Sequence, residues 1–132
     1  MRIKGRYALL AVGVGTFLAL SGCGPASAPP ETVAQKVAWA ETLVPGDARL
    51  AEMYGRSCRG CHITPDAKAP LAGDKTAWDL RFEQGLDVLV AHARDGFKNM
   101  PPRGQCLDCT DDDLKHLTLF MAGRGDAGEK TQ

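Results

Sequence analysis

Apolar residues recur at helical spacing through the second half of the chain, and no stretch alternates between apolar and polar as a strand would. Four such stripes predict four short helices, in residues 46–58, 74–83, 86–96 and 110–123. The last is the best defined, because Thr110 can cap its first turn and three aspartates follow at the positive end of the helix dipole. The pattern therefore predicts an all-α domain of about four short helices.

The apolar face of each predicted helix indicates which side chains are buried. The expected core consists of Leu50, Met53 and Tyr54 in the first helix, Trp78 with Leu80 or Phe82 in the second, Leu86, Leu89, Val90 and Ala93 in the third, and Leu114, Leu117, Phe120 and Met121 in the fourth.

The start of the chain has the features of an export signal. Three basic residues within the first six positions precede an apolar stretch of 14 residues, Tyr7 to Leu20, which is shorter than the roughly 20 that span a bilayer. The following Leu20-Ser21-Gly22-Cys23 resembles a bacterial lipobox, which implies cleavage before Cys23 and lipid on its thiol. An ordinary secretory cleavage that leaves Cys23 incidental is the alternative. Gly24 resembles the pattern of lipoproteins exported to the outer membrane, so we expect a periplasmic, lipid-anchored protein.

Residues 24–30 hold three prolines and no helical pattern, so they are interpreted as a tether. Val33, Val37, Ala40 and Val44 beside Trp39 favour a weak helix over a simple spacer. The predicted organisation is a signal peptide at 1–22, a lipidated cysteine and tether at 23–45, a helical domain at 46–124 and a flexible tail at 125–132.

Composition and charge narrow the function classes. The chain is 44% apolar and 24% charged, as is ordinary for a globular domain, and its 16 basic residues balance its 16 acidic ones. Beyond residue 22 there remain 13 basic and 16 acidic residues, a formal charge of −3. A nucleic-acid partner is therefore not expected, because no basic excess exists to neutralise phosphates.

One motif carries specific chemistry. Cys58-Arg59-Gly60-Cys61-His62 has the Cys-x-x-Cys-His spacing of c-type haem attachment. Two thiols on one helical turn can form thioethers with the haem vinyl groups, and the adjacent histidine can ligate the iron. A thioredoxin-type redox pair, or half of a zinc site completed by Cys106 and Cys109, is the alternative. The motif favours one covalent haem c, which would also supply the apolar centre that so short a domain lacks.

A second axial ligand is predicted at Met100. Pro101 and Pro102 follow it directly, and a stiff proline pair can hold a thioether in one position with little entropy left to lose. The competing donors are Met53, Met121, His92 and His116.

Together these features resemble a class I cytochrome c, and within that class the cytochrome c5 family. The resemblance runs from about Gly46 to Gly123. Its motifs are Tyr54 before the haem motif, Ala69-Pro70, Gly73-Asp74, Ala77-Trp78, Arg81, Gly96, Met100-Pro101-Pro102-Arg103-Gly104 and the pair Cys106 and Cys109.

The resemblance implies roles for further residues. The Pro70 carbonyl would accept a hydrogen bond from His62, which orients the ligand. Trp78 and Arg81 would lie near the haem propionates, although core packing and a solvated helix face are their alternatives. Cys106 and Cys109 would form a disulfide, with a redox-active dithiol as the rival.

The chain departs from the family at one position. Leu50 stands where class I cytochromes often have glycine at the crossing of the first and last helices. A wider or shifted crossing is expected.

An iron held by His62 and Met100 has no open position for substrate, so the expected function is single-electron transfer rather than catalysis. The sequence contains no other recognisable catalytic constellation. We expect a periplasmic, membrane-anchored mono-haem carrier that forms transient complexes with a redox donor and acceptor, and is otherwise monomeric. A haem sensor or small-ligand enzyme, and a dedicated haem subunit of a dehydrogenase or reductase, are the alternatives.

Overall fold

The computed structural model describes residues 32–125. Its α-helices are α1 (Val33–Thr42), α2 (Ala48–Met53), α3 (Arg59–His62), α4 (Lys75–Phe82), α5 (Leu86–Asp95) and α6 (Asp111–Met121). A π-helical turn, Tyr54–Cys58, joins α2 to α3 in one continuous helical segment, and short 3-10 turns lie at Pro65–Ala67 and Pro102–Gln105. Within this part of the chain the only β-type pairing is an isolated bridge between Phe97 and Met100. The all-α prediction is confirmed.

The ends of the helices follow local capping chemistry. Thr110 and Asp113 form a capping box at the start of α6, and Asp74 caps α4 by accepting from the Ala77 N–H. Such side chains satisfy N–H groups that the first helical turn leaves without partners. The weak helix predicted within the segment 23–45 is present as α1, where Thr32 caps the first turn.

The core is built mainly from α2, the π-helical turn that follows it and α6, and α4 contributes Trp78. Tyr54 is fully buried and packs edge-on against Phe120, with ring centroids 5.1 Å apart. Trp78 is buried, whereas Leu80 faces solvent and Phe82 is half-buried, which settles the choice left open for α4. The buried apolar residues of the cluster are Ala40, Leu50, Met53, Tyr54, Cys58, Leu71, Ala72, Trp78, Ala93, Cys106, Cys109, Leu114, Leu117, Met121 and Ala122.

Leu50 lies in this core, and its neighbour Arg49 reaches from α2 to Asp113 on α6. The wider or shifted crossing of α2 and α6 stays a prediction. No helix among residues 32–125 is long and apolar enough to cross a membrane. The predicted signal peptide, Cys23, the proline-rich tether and the tail after residue 125 lie outside the described residues.

Candidate haem site

His62 ends α3 and is almost completely enclosed, with 5% of its surface exposed. Its Nδ1 lies 2.8 Å from the carbonyl oxygen of Pro70. Because a carbonyl can only accept, Nδ1 must carry the proton, which leaves Nε2 with a free lone pair. Burial lowers the pKa of His62 and outweighs the opposing effect of Pro70, so the ring is neutral. His62 therefore presents the nitrogen that an iron ligand needs, in the contact that the resemblance implied.

The two motif cysteines are free, Cys58 buried and Cys61 exposed. Burial raises the pKa of Cys58 to about 11, so this thiol stays protonated at neutral pH. Cys106 and Cys109 are joined as a disulfide, with their Cα atoms 5.4 Å apart. Their thiols are therefore not available to complete a zinc site with the motif, and residues 32–125 contain no cluster of three metal-binding side chains.

The loop that follows Pro70 is tied to His62 directly by one hydrogen bond and indirectly through Trp78. The Ala72 N–H donates to the His62 carbonyl oxygen at 2.7 Å. The indole N–H of Trp78 donates to the Leu71 carbonyl oxygen at 2.9 Å, and the Trp78 ring stacks on His62 with centroids 6.0 Å apart. Trp78 thus combines core packing with a position beside the predicted ligand.

Arg81 is half-buried rather than on a solvated face. Its Nη1 donates to the Ala77 carbonyl oxygen at 2.7 Å. Its positive charge is close enough to lower the pKa of His62 beyond the effect of burial. Arg81 is therefore partly shielded from solvent and close enough to His62 to affect its pKa, and its place near the haem propionates stays a prediction.

Met100 is half-buried and packs against the core. Two backbone hydrogen bonds of 3.0 Å pair it with Phe97 across a tight turn. Gly104 follows in a left-handed conformation (φ +55°), and a Cβ placed there would lie 3.5 Å from Met100 Cε and 3.9 Å from the Ser57 carbonyl oxygen. The end of the Met100 side chain therefore lies beside Gly104, close to the residue that precedes Cys58.

The rival ligands have other roles in the structure. Met53 is buried, and its sulfur accepts a hydrogen bond from Arg49 Nη1 at 3.6 Å. Met121 is core filler, as methionine commonly is. Among the histidines, His92 stacks on Phe97 with ring centroids 3.9 Å apart, and His116 Nδ1 contacts the Asp112 carbonyl oxygen at 2.9 Å.

The segment between Met100 and α6 is fastened by ion pairs besides its disulfide. Arg103 donates to the Cys109 carbonyl oxygen and to Asp111, at 2.5 and 2.9 Å. Arg56, just before the haem motif, pairs with Asp108 inside the disulfide loop at 2.6 Å. The Met100 segment is thus connected both to α6 and to the helical turn that leads into Cys58.

The residues present fit a haem. Among the described residues, the Tyr54 hydroxyl is the only buried side-chain polar atom without a hydrogen-bond partner, and native proteins rarely leave such a group unpaired. It lies four positions before Cys58, and a haem with its polar propionates would offer it an acceptor. Free thiols, a neutral histidine and a thioether complete a donor set of the kind that c-type haem uses.

Two features escaped the sequence analysis. The first is the ion pair between Arg49 and Asp113, which joins residues 64 positions apart. The run of three aspartates at 111–113 did not indicate which of them would be buried. The second is the docking of α1 on the loop at Gly73, which periodicity alone could not reveal.

Comparison with known proteins also indicates a c-type cytochrome. A family model described as cytochrome c oxidase, cbb3-type, subunit III, matches residues 46–121. Cytochrome c5 of Azotobacter vinelandii is 41% identical over 81 residues, which cover 59% of this chain and 98% of that protein. The chain belongs to the cytochrome c5 family of class I c-type cytochromes.

Other relatives agree with this assignment. Cytochrome c5 of Ectopseudomonas mendocina is 40% identical over 81 residues, covering 59% of this chain and 93% of that protein. Cytochrome c-555 of Chlorobaculum tepidum is 36% identical over 75 residues, covering 54% and 69%. No solved structure matches the chain significantly. As a member of this family, the cytochrome holds one covalent haem c and carries electrons rather than acting as an enzyme.

Proposed function

We propose that this cytochrome is a periplasmic, lipid-anchored carrier that passes single electrons between a donor and an acceptor protein, with its iron held by His62 and Met100. The observation that carries the proposal is the hydrogen bond between His62 Nδ1 and the Pro70 carbonyl oxygen, which leaves Nε2 free to ligate. Bound haem supplies a one-electron redox centre. Cys58 and Cys61 would hold it covalently, and the Tyr54 hydroxyl and Arg81 would receive its polar groups.

Met100 would close the second axial position, because its turn is fastened on both sides. Two backbone hydrogen bonds pair it with Phe97, and the disulfide with its ion pairs ties the following segment to α6. An iron with two protein ligands has no open position for substrate, which suits electron transfer.

A ligand substitution tests this proposal. Met100→Leu should abolish the weak absorption near the red end of the oxidised spectrum that reports sulfur ligation to iron. Met121→Leu is the matched control, because this substitution is the same in volume and chemistry but falls in the core. Loss of the band in the control, with retention in Met100→Leu, would contradict the assignment.

Anchoring rests on the first 23 residues of the sequence. If Cys23 carries lipid, Cys23→Ser should leave an unprocessed precursor, and the mature wild-type protein should lack residues 1–22 by intact mass. One acyl chain binds a membrane only marginally, so a mature Cys23 should carry more than one acyl chain. Normal maturation of the variant together with acyl-dependent membrane fractionation would contradict this part of the proposal.

The name of the matching family model supports a second candidate function, that of a dedicated haem subunit in a larger oxidoreductase. The near-complete coverage of a separate cytochrome c5 favours the free carrier instead. Mild detergent extraction followed by size determination distinguishes the two: the carrier migrates as a small monomer, and a subunit remains with its complex.

A further inference from the structure

Helix α1 lies outside the region shared with the family, which begins at residue 46. It is nevertheless docked on the domain. Ala40 is completely buried, and Val37 and Leu43 pack against the core. The Lys36 Nζ lies 3.0 Å from both carboxylate oxygens of Asp74, and both side chains are largely shielded from water. Helix α1 therefore has a defined place on the domain, although it precedes the residues that the family model matches.

Helix α1 approaches the loop closely at Gly73. Gly73 has a left-handed backbone (φ +76°), and a Cβ placed there would lie 2.6 Å from Trp39 Nε1 and 2.7 Å from Leu43 Cδ1. Only glycine tolerates both that conformation and that approach. The indole of Trp39 therefore rests directly on the backbone of the loop that follows Pro70.

The C-terminal end of α1 touches the haem motif itself. Arg59, between Cys58 and Cys61, donates from Nη2 to the Glu41 carbonyl oxygen at 3.1 Å. Helix α1 thus contacts two segments at once. One carries His62, and the other carries Pro70, the acceptor for the His62 ring.

We propose that α1 is a brace that fixes the hydrogen bond between His62 and Pro70 and thereby sets the reduction potential of the haem. Lys36 and Trp39 are its positioning residues. A hydrogen bond that the outer N–H of a ligating histidine donates to an acceptor raises the basicity of the ligand, which favours the oxidised iron and lowers the potential. Loosening the brace should therefore raise the potential. This inference rests on the proposed ligation by His62.

The loop also has restraints that do not involve α1. The Gly73 N–H donates to the Met121 carbonyl oxygen at 2.7 Å, and the Ala72 N–H to that of His62. These bonds remain when α1 contacts are removed. Variants in α1 should accordingly stay folded with haem bound. Only the hydrogen bond between His62 and Pro70 should weaken.

The test uses full-length, haem-loaded protein with Lys36→Ala and Trp39→Ala, singly and together. Lys75→Ala is the matched control, since Lys75 is 73% exposed and pairs only with Asp79 on its own helix. Two readouts are measured: the reduction potential by spectroelectrochemistry, and the exchange rate of the His62 Nδ1 proton by NMR of the reduced protein. We expect a higher potential and severalfold faster exchange in the α1 variants, the largest change in the double variant, and neither change in Lys75→Ala.

Conservative substitutions separate positioning from simple stabilisation. Lys36→Arg keeps the pair with Asp74 and should restore both readouts to the wild-type values. A lowered melting temperature with unchanged potential and proton exchange would overturn the inference, because α1 would then be only structural. In that case the wild-type spectrum would still show histidine and methionine ligation. If the wild-type protein itself lacked that spectrum, the proposed function would fail, and the brace with it.

Discussion

The buried carboxylate of Asp113 offers a quantitative test of how the last helix is held to the haem-bearing segment. Its side chain is only 3% exposed, and the guanidinium of Arg49, which is 60% exposed, binds both of its oxygens. Asp113 also accepts from the N–H and the hydroxyl of Thr110. The perturbation is Asp113→Asn, which keeps the shape and most of the capping but removes the charge.

The expected loss of stability follows from the hydrogen bonds between Arg49 and Asp113, which Asp113→Asn deprives of the carboxylate charge. A hydrogen bond to a charged group contributes about 1.5–3 kcal/mol, and solvent competes for the exposed Arg49. We therefore expect a loss of about 2 kcal/mol in the free energy of unfolding, which lowers the melting temperature of a domain this size by about 10 °C. Arg49 can return to water, so no buried cation is left without a partner.

The assay is thermal and denaturant unfolding of the haem-loaded protein, followed by circular dichroism. Asp112→Asn is the matched control, because Asp112 precedes Asp113 in the same helical turn but is 73% exposed. This control removes a charge near the helix dipole and an exposed contact with His116 Nδ1 at 3.4 Å, which together contribute less than about 1 kcal/mol. Equal destabilisation in the two variants would refute the reasoning, since it would show that the contact with Arg49 adds nothing.

Three further predictions concern acid, the disulfide and salt. The hydrogen bond from Arg49 holds the pKa of Asp113 well below its ordinary value, so the stabilisation from this carboxylate is complete above the unfolded pKa and is lost as pH falls below about 4. The stability gap between the wild type and Asp113→Asn should narrow there, and a gap independent of pH would contradict this. Replacing Cys106 and Cys109 by serine should weaken the red-end absorption while the domain stays folded, because so short a loop contributes less than ~3 kcal/mol; two free thiols in the native protein would contradict the pairing. Electron exchange with a basic partner protein should slow as salt rises, because the chain beyond residue 22 carries a formal −3; a flat response would remove electrostatic steering from the account.

Local signals predicted the helices well, because each cap and apolar stripe lies within its own segment. Thr110 and Asp74 cap the helices whose starts they marked. The choice between Leu80 and Phe82 stayed open because only the packing of the whole domain decides which faces inward.

Contacts between distant segments could not be predicted in this way. The pairing of Arg49 with Asp113, and the approach of Trp39 to Gly73, bring together residues far apart in sequence and leave no periodic trace. The partner of His62 was expected only through a family resemblance, since nothing in the local pattern links position 62 to the carbonyl of Pro70.

Carbon monoxide binding to the reduced protein tests the central claim most directly. If Met100 occupies the second ligand position of the iron, carbon monoxide can bind only after the bond between sulfur and iron has opened. Binding should therefore be slow and confined to a minor open population, while electron exchange stays fast. Rapid, stoichiometric binding at neutral pH would contradict the carrier account, because it would show an accessible iron suited to sensing or catalysis.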